Sequence, residues 1–241
     1  MRNYRTFILL TSYLGLMGLI VGFTYYYQTD SYSFTRYYPG MRQELGKSIF
    51  TALFLAELVL IYFIAPGLTS GAITSERERQ TLDILKTTLI TPRAMIYGKL
   101  GPAVIYLLLL IFTTVPIVSI TFMFGGAGIP EMLIASILLL LTGIFLCALG
   151  IFFSSGLKST TAATISSYGS ILSPILLIVV FYFVINTLSP SDYTVQDQIN
   201  MISGLWVIAS VNPFLAAYLT QVMLVEDQSL FLISIPLDGN I

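Results

Sequence analysis

Between Met132 and Phe153 the chain runs for 22 residues without a charged side chain. A helix of about 20 such residues is what ~30 Å of hydrocarbon demands. Four further stretches are as long and apolar, one of them carrying a single charge, Glu57: Thr6–Tyr27, Ser48–Ser70, Leu100–Phe124 and Ala162–Leu188. Only 10% of the residues are charged and 56% are hydrophobic, whereas soluble domains carry about 25% charged residues. Inside lipid every backbone group must be satisfied internally, which leaves helices for segments of this length. The expectation is an all-α polytopic membrane protein, a single transmembrane domain over residues 1–241 with spans at 6–27, 48–70, 100–124, 132–153 and 162–188.

What is missing narrows the chemistry. The chain has no histidine, which removes histidine metal sites and histidine bases. Cys147 is the only cysteine, so neither a disulfide within the chain nor a cysteine cluster can form. There is no GxxxxGK[ST] phosphate loop; the Gly98–Lys99 pair lacks the upstream glycine and the following hydroxyl. No GxSxG or HExxH pattern occurs. We expect no catalytic residues, no metal and no nucleic-acid partner. Spans built this way offer a passage or a groove through membrane lipids, and energy for uphill movement has to come from a partner or an ion.

The first span ends in Tyr25, Tyr26 and Tyr27 without a small-residue cleavage site, so it is expected to be retained, unlike a signal peptide. Gly15, Gly18 and Gly22 give it small residues, and Gly18 with Gly22 forms a GxxxG pair. Such a pair lets helix backbones approach closely, either toward a second copy or within the protomer. Tyr32, Phe34, Tyr37 and Tyr38 then continue an aromatic belt of the kind found at membrane interfaces. Glu57 lies in the middle of the second span. A carboxylate there costs at least ~2.5 kcal/mol on insertion scales and is expected to face protein or water. It is a candidate intramembrane polar site, either as a proton or substrate group or as a hydrogen-bonded helix contact.

One polar interval stands out, Thr74–Leu100. Ser75 and Glu78 have the spacing of a capping box, and Leu82, Leu85 and Leu89 fall on one helical face. Thr91 followed by Pro92 predicts a fresh helix start, threonine as cap and proline in the first turn. Basic residues set the orientation. With the N terminus inside, Arg2, Arg5, Arg77, Arg79, Lys86, Arg93, Lys99 and Lys158 are cytoplasmic, and only Arg36, Arg42 and Lys47 are outside. Residues 74–99 are therefore expected to be cytoplasmic. Residues 198–224 are apolar but interrupted by Asn200, Asn212, Pro213 and Gln221, which predicts interfacial or re-entrant helices on the outer side.

The segment GLTSGAITSERERQTLDILKTTLITPRAMIYGKL resembles the signature region of ABC type-2 exporter permeases. The matching residues are Glu76, Arg77, Glu78, Arg79, Thr81, Leu82, Asp83, Leu85, Thr91, Pro92, Gly98 and Lys99, and Asn212–Pro213–Phe214 is similar to a second recurrent feature. The resemblance implies a permease half that pairs with a second permease copy or paralogue. It also implies a separate cytoplasmic ABC ATPase subunit, which would bind ATP and Mg, with no cofactor in this chain. Residues Glu76–Leu89 would form the coupling helix, with Glu76, Arg77, Glu78, Arg79, Thr81, Leu82, Asp83 and Leu85 as the ATPase-coupling set. The setting implied is the inner (plasma) membrane. Two departures stand against the family pattern: only Met1–Arg5 precedes the first span, and no sixth span follows. The expectation is that a sixth span is missing by truncation. The alternatives are an ion-coupled secondary transporter with Glu57 as proton carrier, and a non-transporting scaffold using the aromatic outer loop.

Overall fold

A computed structural model describes residues 3–32, 41–82, 91–188 and 212–225. It is an all-α membrane protein. Its helices are α1 (Asn3–Tyr32), α2 (Met41–Thr69), the single turn α3 (Thr74–Glu78), α4 (Pro92–Met123), α5 (Ile129–Gly156), α6 (Thr160–Leu188) and α7 (Pro213–Val225). Among the described residues, three helical stretches are long and apolar enough to cross a membrane: Arg42–Glu78, Pro92–Met123 and Ile129–Gly156. Large side chains such as Leu19, Phe23, Phe112, Met123 and Phe152 stand exposed. A soluble protein rarely tolerates that much exposed apolar surface, whereas a bilayer covers it.

The helices begin and end for local reasons. α4 starts as its sequence predicts: Thr91 Oγ1 accepts from the Ala94 amide at 3.4 Å, with Pro92 in the first turn, where its missing N–H costs nothing. It continues through Pro102 and Pro116 to Met123. There the Gly126 amide reaches back to Thr121 O and the Gly125 amide to Phe122 O. That is a Schellman stop, with Gly125 in the left-handed region (φ 71°) that suits glycine. α7 is opened by Asn212, whose Oδ1 accepts from the Phe214 amide at 2.9 Å. Within the 198–224 segment, residues up to 211 lie outside the described residues; in α7, Ala217 and Gln221 are buried.

The contacts cluster into two compact units. The first comprises Met1–Glu57, Phe112–Ile137 and Ala217–Ile241. Its buried residues include Met17, Ile49, Leu53, Phe54 and Val118. The second comprises Leu58–Ile111 and Leu138–Ala216. Here Leu58, Ile61, Ala65, Leu107, Leu146 and Ala163 are buried, and Cys147 is inert packing, its thiol turned to Ala65 O. Close helix approach in this unit depends on Gly150, where an added Cβ would come 2.1 Å from Thr69 Oγ1.

Candidate coupling site

The polar segment after α2 lies in the second unit and is built differently from its predicted form. α2 passes through Pro66 and Gly67 to Thr69, and the break follows over residues 70–73. α3 then begins at Thr74. The Ser75–Glu78 capping box does not form, because the cap position is Ile73, two residues ahead of Ser75, which lies inside the helix. Its role is taken by a residue remote in sequence. Ser154 Oγ, near the end of α5, accepts from the Ile73 and Thr74 amides at 2.9 and 3.1 Å. Free amides at a helix start need an acceptor when buried, and Ser154 and Thr74 are both fully buried.

The predicted continuous helix from Glu76 to Leu89 is not present either. α3 stops after one turn at a second Schellman motif: the Thr81 amide bonds Glu76 O and the Gln80 amide bonds Arg77 O. Gln80 occupies the left-handed position with φ 60°. Thr81 Oγ1 adds a bond to Glu76 O at 3.2 Å. Leu82 folds inward and packs with Ile73 and Ile151, flanked by Met95 and Leu100. Asp83 and Leu85, with Lys86 and Leu89, lie outside the described residues.

Each charge of the turn has its own destination. Glu76 Oε1 pairs with Lys99 Nζ on α4, while Glu76 Oε2 is buried without a hydrogen-bond partner among the described residues. Arg77 donates to Ser155 O at 3.0 Å and to Leu157 O, at the C-terminal end of α5. A guanidinium suits that end, where free carbonyls and the helix dipole both favour a cation. Glu78 accepts from the Thr160 amide at 2.7 Å and from its hydroxyl at 3.1 Å. That is the N-terminal end of α6, where the dipole favours an anion. Arg79 is exposed and makes no ion pair among the described residues.

Thus Glu76, Arg77 and Glu78 bind the turn to α4, α5 and α6, while residues 70–73 join it to α2. Ser154 and Thr160 were not among the residues singled out from the sequence. Their only signal was a short polar interval, Ser154–Thr161, whose partner could not be read locally.

Glu57, Gly15, Gly18 and Gly22 lie in the first unit. Glu57 is buried and accepts from Thr114 Oγ1 at 3.2 Å and Tyr13 OH at 3.3 Å. Tyr13 OH and Thr114 Oγ1 also lie within hydrogen-bond distance of each other, so their two protons are shared over the three contacts. The carboxylate therefore knits α1, α2 and α4 within that unit. Gly15, Gly18 and Gly22 are exposed, with nothing within 4 Å of an added Cβ.

A profile of the ABC-2 family transporter proteins matches residues 3–232, nearly the whole chain. The chain belongs to the ABC-2 transporter family. No curated protein and no solved structure matches it. As an ABC-2 protein it is a membrane permease of an ABC transporter, a class of transport component that works with ATP-binding subunits. In this ABC-2 chain the acidic and basic residues of Glu76–Glu78 are engaged mainly with its own helix ends.

Proposed function

We propose that this permease is the membrane subunit of an ATP-driven exporter and that α3 receives the motion of a separate cytoplasmic ATPase subunit. One observation carries the reading: a single helical turn is bonded to α4, α5 and α6 and joined through the chain to α2. A push on such a turn is delivered to four helices at once. Charge-assisted bonds at helix ends hold their geometry better than exposed ion pairs do. ATP and Mg belong to the ATPase in this scheme, and a second permease copy or paralogue completes the pathway. The basic bias of residues 74–99 supports a cytoplasmic position for the turn, and the inner (plasma) membrane is the setting that fits.

The test is purification of the full chain from its native membranes, with ATP hydrolysis measured in the eluate. A co-purifying ATPase whose activity rises in the presence of the permease is the expected result. A chain that purifies alone and drives flux from a pH gradient, with the flux lost in Glu57→Gln, would replace this reading by ion coupling. The pairing of Glu57 with two hydroxyls rather than with a base favours a helix contact over a proton carrier.

A further inference from the structure

The first unit contains a cavity of about 460 Å³ that the coupling scheme does not use. Small-molecule sites run from about 300 to 1,000 Å³, so it is large enough to hold a ligand. Its main wall is one face of α2, bearing Glu44, Lys47, Ser48, Thr51, Ala52 and Leu55. These positions follow the three- and four-residue spacing of a single helical stripe. Thr24 of α1 and Val225 of α7 also line it.

The stripe is graded. It begins with one acid and one base, continues with two hydroxyls and ends in two aliphatic side chains. The eleven steps of helix from Glu44 to Leu55 cover about 16 Å, roughly half of a hydrocarbon core. Ser48 Oγ accepts from Gln28 Nε2 at 2.7 Å, which leaves the serine proton to donate. One turn back along the same face of α7, Gln221 is fully buried, and neither of its amide atoms is hydrogen-bonded among the described residues. A buried amide left unmatched is expensive.

We infer that this cavity is a binding site for a zwitterionic membrane phospholipid, its headgroup between Glu44 and Lys47 and its glycerol region along Ser48, Thr51 and Thr24. The chains then run along Ala52 and Leu55. One acid beside one base matches a head carrying both charges better than a head of a single sign. The hydroxyls fit ester oxygens, and the aliphatic end fits hydrocarbon. The site is independent of the ATPase partner and of whether the lipid is carried.

The full chain in mild detergent is exposed to vesicles of phosphatidylethanolamine or, separately, of phosphatidylglycerol. Retained lipid is then read by native mass spectrometry. Phosphatidylethanolamine is expected to be held preferentially, and Ala52→Trp, which fills the cavity, to reduce its retention at least tenfold, on the order of 1.4 kcal/mol. Thr51→Val keeps the volume and is expected to cut retention severalfold, which preserves the test should the tryptophan variant misfold. Glycerophosphoethanolamine, the head without its chains, is expected not to displace the lipid. Equal retention of phosphatidylglycerol, undiminished retention in both variants, or displacement by the bare headgroup would overturn the proposal.

Discussion

Arg77 and Glu78, neighbours in the chain, hold the two sides of one interhelical connection. Arg77 takes the carbonyls of Ser155 and Leu157 where α5 ends, and Glu78 takes the amide and hydroxyl of Thr160 where α6 begins. The signs match the helix ends they face, positive at carbonyls and negative at amides. A charge pair that could serve as a docking patch for a partner serves first as a clamp inside the protein.

The clamp makes the type of substitution at Glu78 informative. Glu78→Gln keeps an acceptor for the Thr160 amide and loses only the charge, whereas Glu78→Ala loses both bonds. Hydrogen bonds to charged groups contribute about 1.5–3 kcal/mol, and this partly exposed pair belongs near the lower end. Amide exchange at Thr160 is expected to rise clearly in Glu78→Ala and modestly in Glu78→Gln, with permease-stimulated ATP hydrolysis falling in the same order. Equal loss in both variants would assign Glu78 to charge-based contact with the partner instead of to the clamp.

Ser154→Ala removes the acceptor shared by the Ile73 and Thr74 amides. Loss of a helix cap costs about 1 kcal/mol in ordinary settings, and an orphaned buried amide adds to that. Ser155→Ala is the control, because Ser155 is exposed and its hydroxyl donates to Phe152 O of its own helix. Thermal unfolding in detergent is expected to come several degrees earlier in Ser154→Ala and to stay unchanged in Ser155→Ala. Identical midpoints would show that α3 needs no cap from α5.

These two residues also mark where the sequence could be read and where it could not. The membrane helices were legible because their apolar runs are longer than any soluble core requires. The Thr91–Pro92 start was legible because cap and proline act within a single turn. The Ser75–Glu78 box failed although its spacing was correct: α3 starts two residues earlier, and Glu78 has a better donor in Thr160, far along the chain. The stop at Gln80 was hidden because glutamine occupies a position that usually announces itself as glycine. Glu57 was legible as an anomaly, but its partners Tyr13 and Thr114 come from other helices and carry no local signature.

Gly150 tests the packing of the second unit. An alanine Cβ there would come 2.1 Å from Thr69 Oγ1 and 3.1 Å from Thr69 Cβ, so something must move. Overpacking of this kind costs about 1–3 kcal/mol. Gly169, also helical, has nothing within 4 Å of an added Cβ. Gly150→Ala is expected to lower the unfolding temperature and Gly169→Ala to leave it unchanged or raise it slightly, since alanine is the better helix former. Thr69→Ala removes the oxygen that clashes and is expected to restore much of the loss in the double variant. A neutral Gly150→Ala would mean that the two helices are not in close contact at that point.

The glycines of α1 separate packing within the protomer from pairing between protomers. Gly18 and Gly22 sit one helical turn apart, both exposed and with open space around an added Cβ. Leu19 and Phe23 beside them are 76% and 72% exposed. Nothing described within the protomer therefore opposes leucine at either glycine, and helix propensity favours it. If a second copy seats its backbone against this face, leucine blocks the approach that a GxxxG pair permits. The double variant Gly18→Leu, Gly22→Leu is expected to keep its unfolding temperature while the permease shifts from dimer to monomer by light scattering. A dimer that survives both leucines would move the interface to another helix, and a loss of stability in the monomer would mean that the glycines pack within the protomer after all.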